Sequence, residues 1–198
     1  MAQGSEPMVY LASASPRRRE LLAQIGIDCL VMPADIDESL LPGEGVEAYA
    51  LRLAGAKARR VWERVRAPAP RPVVAADTVV IAGADVLGKP DGLDDCRRML
   101  GRLSGTVHEV LTAVAVVSAV GESSAVSRSQ VRFRPLAPEE IDAYWRSGEP
   151  AGKAGGYAIQ GRAAVFIREL RGSYSGVMGL PLFETAQLLA AHGLRVLA

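Results

Sequence analysis

The sequence contains little lysine. Three of its 23 lysine and arginine residues are lysine, so the other 20 are arginine. Since arginine supplies most of the positive charge, a retained lysine marks a position that favours a compact ammonium over a planar guanidinium. The three are Lys57 in LRLAGAKARR, Lys89 in VLGKPDG and Lys153 in EPAGKAGGYAIQG. They are therefore the first candidates for a functional site.

Cysteines and aromatic residues are also scarce. Cys29 and Cys96 lie far apart with no CxxC or Cys/His spacing, which argues against a disulfide scaffold and a zinc site. Aromatic residues make up 5% of the chain and the net charge is +1, with no extended basic face interleaved with aromatics. General nucleic-acid binding is therefore not expected. A local basic cluster could still bind a small anion.

Long hydrophobic runs are absent. No segment approaches 18 uninterrupted apolar residues, and the start of the chain lacks a basic region followed by an apolar stretch. We therefore expect a soluble, cytoplasmic protein with neither a signal peptide nor a membrane partner. With 198 residues, of which 49% are hydrophobic, the chain is predicted to form a single domain over 1–198 behind a flexible N-terminus, 1–7.

Short strands alternate with amphipathic helices along the chain. MVYLAS and PVVAADTVVIAG are typical of buried strands, whereas SPRRRELLAQIG and 45–65 have the capping residues or apolar spacing of helices. Two longer strands are predicted to form a hairpin around Gly121. The pattern predicts an α/β fold with a mixed, twisted sheet flanked by helices.

Asp77 interrupts the apolar run VVAADTVVI. A carboxylate in a strand of this kind must be paired, bind a metal or face a cleft at the end of the strand. An acid satisfied by backbone amides is the alternative, but perturbed acids concentrate in functional sites, which favours a functional role. Thr78, beside it, could exchange a hydrogen bond with a ligand.

Arginines cluster at the start of the helix SPRRRELL, directly after a strand. Helix N-termini bind anions through unpaired amides, and arginine adds bidentate contacts to phosphate. Arg17 and Arg18 are the residues nearest the helix start. The alternative is a solvated basic turn.

The segment GADVLGK matches the spacing of a phosphate-binding P-loop, but the next residue is Pro90. A P-loop needs a serine or threonine hydroxyl and a backbone donor at this position, and proline supplies neither. We therefore reject the P-loop interpretation. Lys89 could still reach a phosphate from a turn.

The segment KAGGYAIQG is rich in glycine, which allows the backbone to approach a ligand closely. Tyr157 is predicted to offer a stacking face, and Gln160 can read the edge of a base through its paired donor and acceptor. A plain flexible loop is the alternative. His108 begins a strand and is predicted to be structural. Together the segments fit a nucleoside triphosphate better than a sugar or a peptide.

These blocks, in this order, resemble the Maf family of nucleoside triphosphate pyrophosphatases. The matching blocks are LASASPRRRELL, IDES, LRLAGAKA, ADTVV, LGKP, SGTVHEVLTAV, EPAGKAGGYAIQG and GSYSGVMGLPLFET. The resemblance implies a Maf/ITPase-like fold of two closely joined lobes with a central cleft. It also implies hydrolysis between the α- and β-phosphates, with Mg²⁺ or Mn²⁺ as cofactor. The form KAG-x-Y-x-IQG resembles the branch that acts on dTTP and UTP.

The resemblance also implies site residues. Asp77 matches the general base, and Arg17, Thr78 and Gln160 match positions tied to substrate specificity. Glu38 and Asp77 are the candidate metal ligands. The other candidates for substrate binding are Ser13, Arg18, Lys57, Lys89 and Lys153. Gly156 and Ala158 stand where the family commonly has alanine and glycine, a swap that keeps the loop small.

Other functions stay open. The chain could be a pyrophosphatase for another or a modified nucleotide. It could also be a nucleotide-binding regulator of cell division, since the family was first associated with septum formation. An RNA-binding module has little support from the charge and the few aromatics. Homodimer formation, the preferred metal and the preference between dTTP and UTP are open as well.

Overall fold

The structure is a computed structural model that describes residues 7–67 and 70–196. The predicted flexible N-terminus lies outside the described residues except for Pro7. Two residues of the proline-rich connector 66–72 also lie outside them.

Seven strands among the described residues form one mixed sheet, with β4 paired to β3 beside the path β2-β1-β3-β5-β6-β7. The strands are β1 (Val9–Leu11), β2 (Cys29–Val31), β3 (Val73–Ala82), β4 (Asp85–Leu87), β5 (Val107–Ser118), β6 (Gly121–Phe133) and β7 (Ile167–Arg171). β1 runs parallel to β2 and β3. β4 is antiparallel to β3, and β7 is antiparallel to β6. The fold is thus mixed α/β, as predicted.

Helices lie between most successive strands. They are α1 (Pro16–Gln24), α2 (Val46–Val65), α3 (Leu93–Leu103), α4 (Pro138–Arg146), α5 (Tyr174–Met178) and α6 (Leu182–Ala191). Two short 3-10 helices, Ala154–Gly156 and Arg162–Phe166, precede β7. Among residues 7–67 and 70–196, we find no helix that combines the length and the hydrophobicity of a membrane span.

The chain folds into two compact units. The first contains the described parts of Met1–Asp77, Thr112–Val126 and Gly179–Ala198. The second contains Thr78–Leu111 and Ser127–Met178. The first boundary along the chain falls between Asp77 and Thr78.

Several predicted elements have the expected bounds. α2 differs from the predicted helix 45–65 by one residue, and the hairpin strands β5 and β6 meet just before Gly121. Gly26 follows α1 with φ 75°, a conformation that glycine adopts without steric cost. The predictions missed β4, whose residues show no strand periodicity of their own, and the 3-10 helix between the glycine-rich loop and β7.

His108 lies in the hydrophobic core of the second unit and is 2% exposed. Its Nε2 is 2.8 Å from the Tyr157 hydroxyl, and its ring packs edge-on against Phe133 and Tyr157. Burial lowers the pKa of His108 from 6.5 to about 4. The structure therefore places this histidine where the sequence predicted it, in a structural role.

The buried imidazole predicts an acid-dependent loss of stability. The unfolded chain binds a proton at His108 below about pH 6.5, whereas the folded chain does so only near pH 4, so unfolding is favoured between these values. Between pH 7 and pH 4, we expect the free energy of unfolding to fall by about 3 kcal/mol more in the wild type than in His108→Gln. Urea unfolding at both pH values measures the difference. Equal losses in the two proteins would contradict the assignment.

Candidate functional site

Ser13 and Arg18 form a hydrogen-bonded cluster in the first unit. Ser13 follows β1 and is 8% exposed. Its Oγ accepts hydrogen bonds from Arg18 Nη1 at 3.0 Å and from the Ser15 amide at 3.2 Å. Arg18 Nε also donates to the Gly179 carbonyl at 2.8 Å. These hydrogen bonds hold the first turn of α1 against the end of β1.

Arg18 is half-buried and charged. Burial lowers the pKa of Arg18, while the carboxylates of Asp77 and Glu38 raise it and the neighbouring Arg17 lowers it further. Guanidinium nevertheless remains protonated in proteins. The Arg18 guanidinium is attracted by two carboxylates. Such a cation suits a site in which phosphate oxygens replace the carboxylates as its partners.

Lys57 lies on the buried face of α2. It follows Leu53 by four residues and precedes Val61 by four, and both are at most 1% exposed. Since residues four apart share one side of a helix, the apolar stripe directs the Lys57 side chain into the first unit. Lys57 is 8% exposed, which requires a charged partner.

Two carboxylates supply that partner. Lys57 Nζ is 2.7 Å from Asp77 Oδ1 and 2.7 Å from Glu38 Oε1. The Asp77 side chain is 13% exposed, whereas the Glu38 side chain is 46% exposed. Three of the residues singled out in the sequence thus meet around one ammonium, although Glu38 and Asp77 lie 19 and 20 positions from Lys57 along the chain. The buried pair has the stronger electrostatic interaction because water screens the exposed carboxylate.

The same carboxylates have the chemistry of a metal site. Mg²⁺ and Mn²⁺ favour carboxylate oxygens and are held in nucleotide sites by one or two carboxylates together with phosphate oxygens and water. Lys57 contacts one oxygen of Asp77 and one of Glu38. A carboxylate that pairs with an ammonium through one oxygen can bind a cation through the other, so the residues fit the predicted cofactor. Among the described residues, no group of three or more His, Cys, Asp or Glu side chains could hold a metal without substrate.

The second unit holds the remaining candidates. Thr78 is half-buried on β3, and Lys89 is exposed in the turn after β4. The Gly88 carbonyl in this turn accepts a hydrogen bond of 2.9 Å from the Gly155 amide of the glycine-rich loop. A side chain at Gly155 would meet Val80, which lies 2.9 Å from the position of a Cβ. Close packing therefore joins the Lys89 turn, the glycine-rich loop and β3.

Lys153 and Gln160 differ in their surroundings. Lys153 Nζ donates to the Glu149 carbonyl, and the Ala151 carbonyl is 3.5 Å away, so the lysine stabilises its own loop. Its contact with a substrate remains a prediction. The Gln160 side chain is exposed, as a residue that reads a base requires.

The predicted stacking role of Tyr157 is wrong. Tyr157 is 6% exposed, and its ring packs edge-on against Phe133 with the ring centroids 5.0 Å apart. Since both the ring and the hydroxyl contact the core, neither face is open to a base. The combination of glycines and an aromatic residue in KAGGYAIQG predicted a ligand-binding loop. The tyrosine instead anchors this loop to the hydrophobic core.

Two residues of the second unit were missed. Tyr144 and Glu149 bond to each other and to the loop that presents Gln160, with a distance of 2.7 Å between Tyr144 Oη and Glu149 Oε1. Glu149 belongs to the block EPAGKAGGYAIQG, but an acid before a proline is also common in surface turns. The local sequence does not distinguish a glutamate that belongs to a functional loop from one in an ordinary surface turn.

A family model described as "Maf-like protein" matches residues 8–192. The match spans both units and includes every candidate residue.

The chain belongs to the Maf family.

Curated relatives of this Maf chain are similar over almost their whole length. A protein of Hahella chejuensis is 51% identical over 188 residues, which cover 95% of the chain and 94% of the relative. One from Alkalilimnicola ehrlichii is 53% identical and covers 92% of each. One from Anaeromyxobacter dehalogenans is 54% identical and covers 94% of the chain and 95% of the relative. All three are named dTTP/UTP pyrophosphatase.

Solved structures show more distant similarity to the Maf chain. A nucleoside-triphosphatase / dITP/XTP pyrophosphatase from Mycobacterium abscessus has a TM-score of 0.46 at 18% identity and covers 93% of each chain. The Ham1 protein of Staphylococcus aureus has a TM-score of 0.43 at 14% identity and covers 66% of the Maf chain and 72% of its own.

Proposed function

We propose that the protein hydrolyses dTTP and UTP to the nucleoside monophosphate and pyrophosphate. The observation that carries the proposal is the name dTTP/UTP pyrophosphatase on relatives that are about half identical and cover more than nine tenths of the chain. The cluster of Lys57, Asp77 and Glu38 supports it, because it joins a cation to two hard-oxygen ligands.

Asp77 is the proposed general base. Lys57 contacts Oδ1 of this carboxylate, which would accept a proton from the attacking water. The water would attack the α-phosphorus in line with the departing pyrophosphate. A carboxylate held by a buried ammonium keeps a defined orientation, which general-base catalysis requires.

Positive side chains would balance the charge on the leaving pyrophosphate. Arg17 and Arg18 at the start of α1 can make bidentate contacts to phosphate oxygens, and Lys57 and Lys89 can supply compact charges. Lys153 is a weaker candidate because its ammonium already contacts the carbonyl of Glu149. Such fixed charges stabilise a transition state without reorganising during the reaction.

A divalent cation is proposed as cofactor. Glu38 and Asp77 would hold it together with oxygens of the triphosphate. When bound, Mg²⁺ or Mn²⁺ would neutralise phosphate charge and favour nucleophilic attack. Gln160 would contact the edge of uracil or thymine through its amide, and Thr78 is proposed to assist in specificity. We further propose that both units act as a single functional domain in the cytoplasm.

A panel of nucleoside triphosphates tests the function. We expect pyrophosphate release from dTTP and UTP at least ten-fold faster, in kcat/KM, than from CTP, GTP or dATP, and only when Mg²⁺ or Mn²⁺ is added. Ion chromatography separates pyrophosphate from phosphate and so identifies the bond that is cleaved.

Two results of the panel would contradict the proposal. Faster turnover of another or a modified nucleotide would assign a different substrate to the same enzyme class. Nucleotide binding without pyrophosphate release, under every metal condition, would favour the non-catalytic regulator of cell division.

A further inference from the structure

Gln160 lies in a tight turn of the second unit. The Gly161 amide donates to the Ala158 carbonyl at 3.0 Å, which closes a four-residue turn with Ile159 and Gln160 at its centre. Ala158 and Ile159 are buried, whereas Gln160 is exposed. The turn therefore presents one polar side chain to the surroundings, and the backbone on either side determines where that amide lies.

Both ends of this turn are anchored. The Ala158 amide, at the start, donates to Tyr144 Oη at 3.2 Å. After the turn, the Arg162 amide donates to Glu149 Oε2 at 2.9 Å and the Ala163 amide donates to Glu149 Oε1 at 3.2 Å. Tyr144 Oη in turn donates to Glu149 Oε1 at 2.7 Å, so one phenol–carboxylate pair holds both ends.

Glu149 reaches the turn because residue 161 is glycine. A Cβ at Gly161 would overlap all three atoms of the Glu149 carboxylate. Three donors share the two carboxylate oxygens, which requires both oxygens to be acceptors. Burial alone would raise the pKa of Glu149, but the Arg162 amide, the Tyr144 hydroxyl, the Ala163 amide and Lys153 outweigh it and lower the pKa. The carboxylate is thus ionised at neutral pH.

We infer that Glu149 and Tyr144 are positioning residues. By holding the Gln160 turn, they determine how well this protein discriminates between bases. The inference rests on the proposed function, in which Gln160 reads the base. Glu149 does not itself contact the nucleotide in this assignment. Its effect on catalysis passes through the position of the Gln160 amide.

Glu149→Gln tests the inference with little change in size. The glutamine has one acceptor oxygen, and its amide nitrogen would face a backbone N–H donor, so at least one anchor of the turn is lost. We expect the ratio of kcat/KM for UTP to that for CTP to fall about ten-fold, the scale of one net hydrogen bond, mainly through a higher KM for UTP. Glu139→Gln, an exposed acid of α4, should leave the ratio unchanged.

A double variant separates positioning from general destabilisation. In a Gln160→Ala background, Glu149→Gln should change the UTP/CTP ratio by less than two-fold, because the side chain that it positions is gone. A further ten-fold fall in that background would overturn the inference. So would a folded, active Glu149→Gln enzyme with the wild-type ratio.

Tyr144→Phe keeps the inference testable if Glu149→Gln does not fold. It removes the acceptor of the Ala158 amide but leaves both backbone bonds to Glu149, so we expect a three-fold fall in the ratio. An unchanged ratio in this variant would contradict the inference. Failure of the proposed function is distinct, because wild-type protein would then release no pyrophosphate from UTP. Faster hydrogen exchange of the Arg162 and Ala163 amides in Glu149→Gln would still be expected, and unchanged exchange would overturn the anchoring.

Discussion

Asp77→Asn is expected to lower kcat for pyrophosphate release from dTTP about 10²–10⁴-fold, the contribution of a positioned general base. Asparagine keeps the shape of the side chain, and its oxygen can still accept a hydrogen bond from Lys57, which is 2.7 Å from Asp77 Oδ1. It cannot accept a proton from water at neutral pH. We therefore expect chemistry to be lost while the protein still folds, which single-turnover kinetics and thermal unfolding measure separately.

Asp94→Asn is a matched control for this substitution. Asp94 lies in the first turn of α3, and its side chain is 95% exposed, so the same chemical change should leave kcat within two-fold of wild type. Full turnover in folded Asp77→Asn, with normal dependence on the divalent metal, would exclude Asp77 as the base.

Lys57→Met is expected to lower the free energy of unfolding by about 3 kcal/mol and to abolish measurable turnover. Methionine fills a similar volume on the buried face of α2, so packing changes little. The loss comes from Asp77, whose side chain is 13% exposed and would lose its ammonium partner. The pair with Glu38 adds little, because that side chain is 46% exposed and solvated. Urea unfolding at pH 7 measures the change.

The double variant Lys57→Met with Asp77→Asn distinguishes lost charge pairing from lost packing. Removing both charges leaves neither position of the Lys57–Asp77 pair with an unpaired charge, so more than half of the lost stability should return while activity stays absent. Lys89→Met is a control for stability only. Because Lys89 is exposed, this substitution should change the free energy of unfolding by less than about 0.5 kcal/mol. If the double variant is as unstable as Lys57→Met, the buried pair is not the cause.

The regular elements could be predicted because their signals are local. The apolar spacing in α2 and the strand-forming run of β3 appear in consecutive residues, and the observed bounds follow them closely. β4 could not be recognised in this way. Asp85–Leu87 forms a strand only because it pairs with Val80–Ala82, and the sequence GADVLGK shows no period of its own. The same pairing explains why this segment is not a P-loop.

For the candidate site too, the sequence predicted some residues and missed others. The scarcity of lysine pointed to Lys57, and the acid within an apolar run pointed to Asp77. The stacking role predicted for Tyr157 was wrong. Aromatic residues in glycine-rich segments suit both ligand stacking and core packing, and only the burial of the side chain distinguishes these two roles. Glu149 was missed because its three donors, the Tyr144 hydroxyl and the Arg162 and Ala163 amides, come from 5 to 14 residues away.

The sequence by itself determined the family, the helices and strands that have local signals, and the residue types of the candidate site, because these depend on local patterns and on the order of the blocks. Tertiary structure decided which of those residues interact. Lys57 lies between Asp77 and Glu38 since α2 packs its apolar stripe inward and thereby buries an ammonium that must find carboxylates. Glu149 holds the Gln160 turn because a glycine at position 161 leaves room for it. Contacts of this kind depend on space and burial, which exist only once the chain has folded.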